Sequence, residues 1–196
     1  MKWIEAKPLK GQWVELVPLC AEDVSALVEA VKDGEGWKLE YATVPSPETM
    51  AKYVDKALSM AHEGHIAYIV KCAKSGKVLG TTRFYEVQAS HKRAAIGYTW
   101  YAASARGTQV NTEAKYLLLK HFFEQTQGLS IFFQTHTENK RSRAAIEKLG
   151  ASLDGVLRSH KILPNGKVRD SVVYSILSSE WPDIKARLED RLEGSQ

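Results

Sequence analysis

Apolar positions along the chain recur with two periods, one typical of β-strands and one typical of α-helices. The segment Trp13–Leu19 alternates apolar and polar residues, which predicts a strand. The segment Ala21–Lys32 instead repeats its apolar residues at helical spacing, as Leu27 and Val31 illustrate. A change from one period to the other within about twenty residues predicts a chain that mixes strands and helices.

A second helix is predicted from Ser46 to about Gly64, because serine is a favoured N-cap and Pro47 fits the first turn. Short apolar runs bounded by turn residues follow and predict strands. These strand candidates are Ile66–Ala73, Val78–Val87 and Ala94–Tyr101. The glycine-containing segment Lys74–Lys77 joins the first two as a hairpin turn.

The second half of the chain continues the alternation of strands and helices. It predicts a loop at Ser104–Asn111, a helix from about Val110 to Thr126, a strand at Ser130–Thr135, a helix at Asn139–Leu149, a hairpin of Asp154–Leu163 with Lys167–Leu177, and a helix from Ser179 to about Leu192. The predicted fold class is α/β or α+β, with helices on both faces of a mixed sheet. Ligands of such sheets favour strand ends and helix N-termini, so we expect a ligand near residue 100.

Composition and charge narrow the function classes. The 196 residues, 44% of them apolar, suit one globular domain over residues 1–196, with 179–196 as a C-terminal helix. The net charge of +4 is spread along the chain, which disfavours direct nucleic-acid binding. Because no long apolar run occurs, we expect a cytoplasmic protein with no membrane span. Cys20 and Cys72 are expected as reduced thiols, and neither has zinc-site spacing.

The segment Ile96–Glu124 resembles the acetyl-CoA-binding strand–loop–helix of the GNAT superfamily of N-acetyltransferases. The family pattern is Arg or Gln, two residues, Gly, one residue, then Gly or Ala. Here the loop reads Arg106-Gly107-Thr108-Gln109-Val110-Asn111, with Gln109 and Asn111 where the family has small residues. The segment Thr137–Gly150 resembles the second acetyl-CoA motif, and Gly155–Pro182 is similar to the branch of ribosomal-protein alanine and serine N-acetyltransferases.

The resemblance implies a GNAT-like domain with a mostly antiparallel sheet of about seven strands, in which a splayed strand pair binds acetyl-CoA as acetyl donor. No metal is implied. Backbone N–H groups of the turn, the dipole of the following helix and Arg106 would hold the negative charges of CoA. A turn that only caps a surface helix is the alternative. The implied cofactor-binding residues are Trp100, Tyr101, Arg106, Gly107, Thr108, Gln109, Val110, Asn111, Asn139 and Ser142.

Acetyl transfer from a thioester to an amine requires a neutral amine, a polarised carbonyl and a stabilised leaving thiolate. The resemblance implies a serine near the second motif for the thiolate, and Ser142 occupies that position. Asn139, the expected N-cap of the same helix, is a candidate for binding the pantetheine arm or the acceptor. Both residues also fit a purely structural role at the start of a helix.

The general base has several candidates. The branch implies a glutamate on the strand after the second motif, but Lys161 occupies that position. His160 beside it, and His136 at the end of the preceding strand, carry imidazoles that titrate near neutral pH. A water chain is a further alternative. Asp170 would orient the site or the amine, or form a surface ion pair with a neighbouring basic residue.

Aromatic residues are candidates for binding the acceptor. Trp37 and Tyr41 follow the first predicted helix, where the family's acceptor loop would lie, and Tyr85 lies on a predicted strand. The tail favours a protein or peptide N-terminal amine as acceptor, while a polyamine, an amino acid or an aminoglycoside stays open. A GNAT domain that binds CoA without catalysis is the second hypothesis, and a nucleic-acid-associated protein is weaker. A homodimer through a sheet edge or the C-terminal helix is compatible with the sequence.

Overall fold

The structure is a computed structural model that describes residues 3–38, 44–163 and 166–194. The strands of these ranges are β1 (Leu9–Lys10), β2 (Val14–Pro18), β3 (Ile66–Cys72), β4 (Val78–Gln88), β5 (Arg93–Tyr101), β6 (Ser130–His136), β7 (Ser152–Ile162) and β8 (Val168–Leu177). The α-helices are α1 (Val24–Lys32), α2 (Met50–Ser59), α3 (Gln109–Thr126), α4 (Lys140–Glu147) and α5 (Trp181–Glu193). The strands form one sheet in the order β1-β2-β3-β4-β5-β6-β8-β7.

The pairings between these described strands are antiparallel, except that β5 and β6 are parallel. The predicted mixed, mostly antiparallel sheet is therefore confirmed. About seven strands were expected, and the described chain has eight. The additional strand is β1, whose Leu9 lies opposite Leu16 of β2. Two residues are too few to produce an alternating pattern, which is why the sequence does not reveal β1.

Helices cover both faces of the sheet, as the sequence predicts. On one face, α3 and α5 pack on the strands around Phe84, Leu118 and Phe122, which are fully buried. On the other face, α1 and α2 pack around Leu27 and Met50, which are also fully buried. Among the described residues, no helix is long and apolar enough to cross a membrane.

Strands β5 and β6 run side by side for only a short distance and then separate. Their pairing ends at Ala95 opposite Phe132, although β6 stays paired with β8 as far as His136. Further along β5, the pairing with β4 shifts register between Gly97 and Trp100, and Tyr98 there has a φ of 52°. This β-bulge bends β5 away from β6, so the predicted splayed strand pair is present.

Some helix starts differ from the prediction. A 3-10 turn precedes α1 and another, with Ser46 at its N-cap position, precedes α2, so both α-helices begin about one turn later than predicted. The last helix, α5, begins at Trp181 with Glu180 as its N-cap residue. The Glu180 carboxylate accepts a hydrogen bond from the Leu177 N–H at 2.8 Å, which closes the turn between β8 and α5.

One carboxylate joins α3 to the beginning of β2. The side chain of Glu113, 4% exposed, accepts hydrogen bonds from three consecutive backbone N–H groups at 2.7 Å. These donors belong to Gln12, Trp13 and Val14. A buried carboxylate is stable only when such donors satisfy it. The contact fixes the first turns of α3, which border the cleft described next, against the sheet.

Candidate active site

A cleft of about 340 Å³ opens where β5 and β6 separate. Its walls are the two strands, the N-terminal part of α3 with the loop before it, and the N-terminal part of α4. The lining residues include Tyr98, Thr99, Trp100, Tyr101, Arg106, Gly107, Asn111, Lys115, His136, Asn139, Arg141, Ser142 and Arg169. Seven of the residues predicted to bind the cofactor are therefore brought together here.

The loop before α3 has the geometry of an anion-binding turn. Gly107 has a φ of 75°, and no atom lies within 4 Å of the position that a Cβ would take. Thr108 is the N-cap of α3: its hydroxyl accepts a hydrogen bond from the Val110 N–H at 3.3 Å and donates one to the Ala105 carbonyl at 2.7 Å. The first backbone N–H groups of a helix lack intrahelical partners, so this turn can hold a phosphate.

Two arginines place positive charge at the same end of the cleft. The Nε of Arg106 donates to the Tyr101 carbonyl at 3.0 Å, which holds the side chain along the cleft wall. Burial and the neighbouring positive charge of Arg141 lower the pKa of Arg106. Two like charges that face one space favour an anion between them. This charge and the open turn at Gly107 fit the pyrophosphate of acetyl-CoA.

Three predicted cofactor residues lie outside the cleft lining. Thr108, Gln109 and Val110 line a separate depression beside α5. The side-chain amide of Gln109 donates to the Arg191 carbonyl at 3.3 Å. Gln109 therefore directs its side chain toward α5, and the residue that replaces the family's glycine does not fill the cleft.

The N-terminus of α4 faces the cleft from the opposite wall. Asn139 is its N-cap residue, and the Asn139 Oδ1 accepts a hydrogen bond from the Ser142 N–H at 3.0 Å. The N-capping role expected for Asn139 is thus observed. Ser142 is half-buried and lines the cleft, where its hydroxyl can reach a bound group.

Aromatic residues at the end of β5 close the base of the cleft. Trp100 belongs to the core beneath α1 and α2, and Tyr101 belongs to the core beneath α3. The Tyr101 hydroxyl is buried and has no hydrogen-bond partner among the described residues. Burial also raises the pKa of Tyr101, so the phenol stays neutral at physiological pH.

A buried lysine in the cleft wall was not expected from the sequence. Lys115 of α3 is buried, and its ammonium donates to Thr82 Oγ1 at 2.8 Å and Thr99 Oγ1 at 2.6 Å. Both threonines lie beside the bulge of β5. Burial lowers the pKa of Lys115 from 10.5 to about 7. The signal for it in the sequence is its spacing: Lys115 follows Asn111 by one helical turn and therefore lies on the same side of α3, which faces the cleft.

The pKa of Lys115 makes the stability of the fold depend on pH. Between about pH 7 and pH 9 the folded state binds fewer protons at Lys115 than the unfolded state, so stability rises with pH. The free energy of unfolding is expected to rise by about 1.4 kcal/mol per pH unit in this range. Urea denaturation of the wild type and Lys115→Met at about pH 7, 8 and 9 is expected to show this rise in the wild type only.

Lys52 of α2 provides the matched control for this experiment, because its side chain is exposed. A Lys52→Met variant is expected to keep the wild-type dependence on pH. If the stability difference between the wild type and Lys115→Met is the same at both ends of this pH range, the charge of Lys115 does not titrate within it.

Two further predicted residues lie beside the cleft. Tyr85 is buried and meets Tyr98 edge-on at 5.2 Å and Phe132 at 6.3 Å between ring centroids. We call these three rings the aromatic patch. His160 of β7 is half-buried, and burial together with the positive charges of Lys161 and Arg169 lowers its pKa. Its imidazole is therefore neutral at physiological pH, although neither Tyr85 nor His160 lines the cleft.

The remaining candidates have other surroundings. Trp37 packs on the core beneath α1 and α2, and Tyr41 lies outside the described residues. His136 lines the cleft, and its Nδ1 accepts a hydrogen bond from the Glu138 N–H at 3.0 Å. Asp170 accepts a hydrogen bond from the Ser159 N–H at 2.7 Å, which places its carboxylate within the β7–β8 hairpin.

A sheet that splays at its parallel strand pair, with two helix N-termini at the opening, is the arrangement that the resemblance to the GNAT superfamily predicts. The family model described as an acetyltransferase (GNAT) domain matches residues 14–152. The chain belongs to this family, whose members use acetyl-CoA as acetyl donor, and it is an enzyme of the N-acetyltransferase class.

Known proteins similar to this chain agree with the assignment. A crystal structure from T. thermophilus, provisionally assigned as an acetyltransferase, is 34% identical with a TM-score of 0.85, covering 97% of this chain and 99% of that one. YdaF of Bacillus subtilis, provisionally assigned as a ribosomal N-acetyltransferase, is 29% identical over 110 residues. These residues span 56% of this chain and 59% of YdaF, less than two thirds of its length.

One structural neighbour contains coenzyme A. RimL, a ribosomal L7/L12 alpha-N-protein acetyltransferase in complex with coenzyme A, is 20% identical with a TM-score of 0.74. The alignment covers 87% of this chain and 98% of RimL. At this identity the likeness concerns the fold.

Proposed function

We propose that this enzyme transfers the acetyl group of acetyl-CoA to the N-terminal amine of a protein or peptide. The observation that carries the proposal is the position of Tyr98, which lines the cleft and belongs to the aromatic patch. Tyr98 is 41% exposed, so the cleft opens to solvent at this ring. An open surface suits the end of a polypeptide, whereas small molecules are usually enclosed. The similarity to YdaF supports the same acceptor class, and RimL, which shares the fold, acts on such an acceptor.

In this proposal the N-terminus of α3 and the edge of β5 that faces β6 hold different parts of acetyl-CoA, which supplies the reactive thioester. Arg106, Arg141 and the N–H groups at Gly107 bind the pyrophosphate. Beyond Ala95 the edge of β5 that faces β6 has no strand partner among the described residues. The backbone N–H groups of that edge, including those of Trp100 and Tyr101, are available to the pantetheine arm and the thioester carbonyl.

Proton transfer in this proposal involves residues on both sides of the splay. Ser142 donates a hydrogen bond to the departing thiolate, and Asn139 positions it by capping α4. His160, neutral at physiological pH, removes a proton from the acceptor amine through water, because it lies outside the cleft lining. Trp37, Tyr41 and Tyr85 remain the proposed contacts of the acceptor.

An acceptor screen tests the proposal. Octapeptides with a free N-terminus, the same peptides with a formylated N-terminus, spermidine and single amino acids are each incubated with enzyme and acetyl-CoA. CoA release and the mass of the product are measured. We expect acetylation of the free N-termini only. Exclusive acetylation of spermidine or of amino acids would replace the proposed acceptor by a small molecule, and acetyl-CoA binding without any turnover would support a non-catalytic domain.

Replacing Ser142 with alanine tests the proposed leaving-group role. Proton donors in acetyl transfer contribute about 100-fold or more, so kcat is expected to fall at least about tenfold. The dissociation constant of acetyl-CoA should change much less than kcat, because the capping Asn139 and the proposed pyrophosphate contacts are retained. Kinetics with the best peptide and calorimetry with acetyl-CoA measure the two quantities. Ser25→Ala, at an exposed position of α1, serves as control, and an equal kcat in both variants would exclude the role.

A further inference from the structure

A buried guanidinium lies under the aromatic patch, and no carboxylate among the described residues pairs with it. Arg83 of β4 is 3% exposed, and its guanidinium carbon lies 4.3 Å from the centroid of the Tyr98 ring and 5.6 Å from that of Tyr53. Its Nε is enclosed and has no hydrogen-bond partner in the described part of the chain. Buried charges in proteins are normally paired or hydrogen-bonded, so an arginine in these surroundings requires an explanation.

A second arginine lies near the patch. Arg169 of β8 lines the cleft, and its Nε is also enclosed without a partner among the described residues. Burial lowers the pKa of Arg169, while the neighbouring Tyr85 opposes this effect. Tyr85 contacts Tyr98 edge-on, and the Tyr98 ring lies over Arg83, so each of the two tyrosines has an arginine near it. Two positive charges therefore lie near the patch proposed to receive the acceptor.

The other ionisable groups near the patch do not neutralise these charges. His65 and His160 each have an enclosed Nδ1 without a partner among the described residues, and the arginine beside each histidine lowers its pKa further. The carboxylates that act on these histidines, those of Glu63 and Glu86, belong to exposed residues. An anion bound in the cleft beside Arg169 would offset both positive charges, through hydrogen bonds to Arg169 and through the electrostatic field of the buried Arg83.

We propose that the acceptor carries a carboxylate close to its reactive amine, and that Arg83 and Arg169 select it. This inference rests on the proposed N-terminal acceptor and specifies its sequence: an acidic side chain in the first residues of the peptide. A free amino acid with an acidic side chain offers the same chemistry. A polyamine or an aminoglycoside would bring further positive charge between the two arginines and is disfavoured.

Peptides that differ by one charge test this selectivity. Octapeptides beginning Ala-Asp, Ala-Asn and Ala-Lys are compared by kcat/KM, together with free aspartate and spermidine. We expect kcat/KM for the Ala-Asp peptide to exceed that for the Ala-Asn peptide at least about tenfold, and that for the Ala-Lys peptide by more. Charge-assisted hydrogen bonds to a desolvated carboxylate would give such a difference. Arg169→Met and Arg83→Met are each expected to reduce the ratio of Ala-Asp to Ala-Asn severalfold.

Arg93→Met is the matched control. Arg93 also packs its guanidinium on a ring of the patch, 4.6 Å from the Phe132 centroid, but it is exposed and lies at the far end of β5. This variant should keep the wild-type ratio. Because Arg83 is buried, its variant is first compared with the wild type by thermal denaturation. If Arg83→Met does not fold, the half-buried Arg169 decides the outcome.

The outcomes separate this inference from the proposed function. Equal acetylation of the three peptides would overturn the charge selectivity while leaving the N-terminal acceptor in place. Acetylation of aspartate without any peptide would overturn the N-terminal acceptor while supporting the selectivity. Acetylation of spermidine alone would overturn both. An unchanged ratio in Arg169→Met would also refute selection by the arginines.

Discussion

Replacing Gly107 with tryptophan is expected to weaken acetyl-CoA binding by about 100-fold or more. The φ of 75° at Gly107 is unfavourable for other residues, and the space above it is open to the cleft. An indole there would occupy the place proposed for the pyrophosphate and remove one or two charge-assisted hydrogen bonds, each contributing about 1.5–3 kcal/mol. A tenfold change corresponds to about 1.4 kcal/mol. Calorimetric titration with acetyl-CoA measures the effect.

Gly76 provides a matched control for this substitution. It has a φ of 72°, and an added Cβ would meet no atom within 4 Å, as at Gly107. It lies in the hairpin turn between β3 and β4 and lines no part of the cleft. Gly76→Trp carries the same backbone strain and should bind acetyl-CoA like the wild type. Equal affinity in all three proteins would show that the cofactor does not use the turn at Gly107.

The second large effect is expected from Glu113→Ala, which should lower the free energy of unfolding by about 3 kcal/mol. The substitution leaves three backbone N–H groups at the start of β2 without their acceptor. An unsatisfied buried donor costs about 1–3 kcal/mol, and water entering the vacated space compensates part of the total. Urea denaturation of both proteins at neutral pH measures the change, with the same dependence of the free energy of unfolding on urea concentration used for each.

Glu113→Gln separates this role from a simple loss of volume. The glutamine keeps one acceptor oxygen but places an NH2 group among backbone donors. Glu113→Gln should therefore lower the free energy of unfolding by less than Glu113→Ala does. Glu29→Ala removes a glutamate that forms an exposed ion pair with Lys32 at 2.8 Å. Such surface pairs contribute about 0–1 kcal/mol. Similar losses in Glu29→Ala and Glu113→Ala would exclude the contact with β2 as a source of stability.

Many elements could be predicted from the sequence because their signals are local. The period of the apolar residues placed β3 and α3 within one residue of their observed ends. Asn139 could be expected to cap α4, since a cap depends on a few adjacent residues. Strand β1 and the start of α5 could not be predicted as easily. The former is too short for a pattern, and a hydrogen bond from the Leu177 N–H to the Glu180 carboxylate closes the turn before the latter.

The candidate site was predictable only in part. The loop at Arg106 and Gly107 and the helix start at Asn139 could be identified by their resemblance to the family, and the structure brings them to one cleft. The same motif also contains Gln109, whose side chain points to α5. The direction of a side chain depends on the neighbours that a fold provides, so a motif of consecutive residues cannot indicate it.

By itself, the sequence determined the order of strands and helices, the glycine turn that begins α3 and the family to which the chain belongs. Only the tertiary structure decided that Lys115 lies beside the bulge of β5 and that Arg83 and Arg169 lie near the tyrosines of one aromatic patch. The physical reason is sequence separation. Hydrophobic period and capping act over a few residues, whereas burial, charge pairing and pKa depend on side chains that meet only when the sheet has formed.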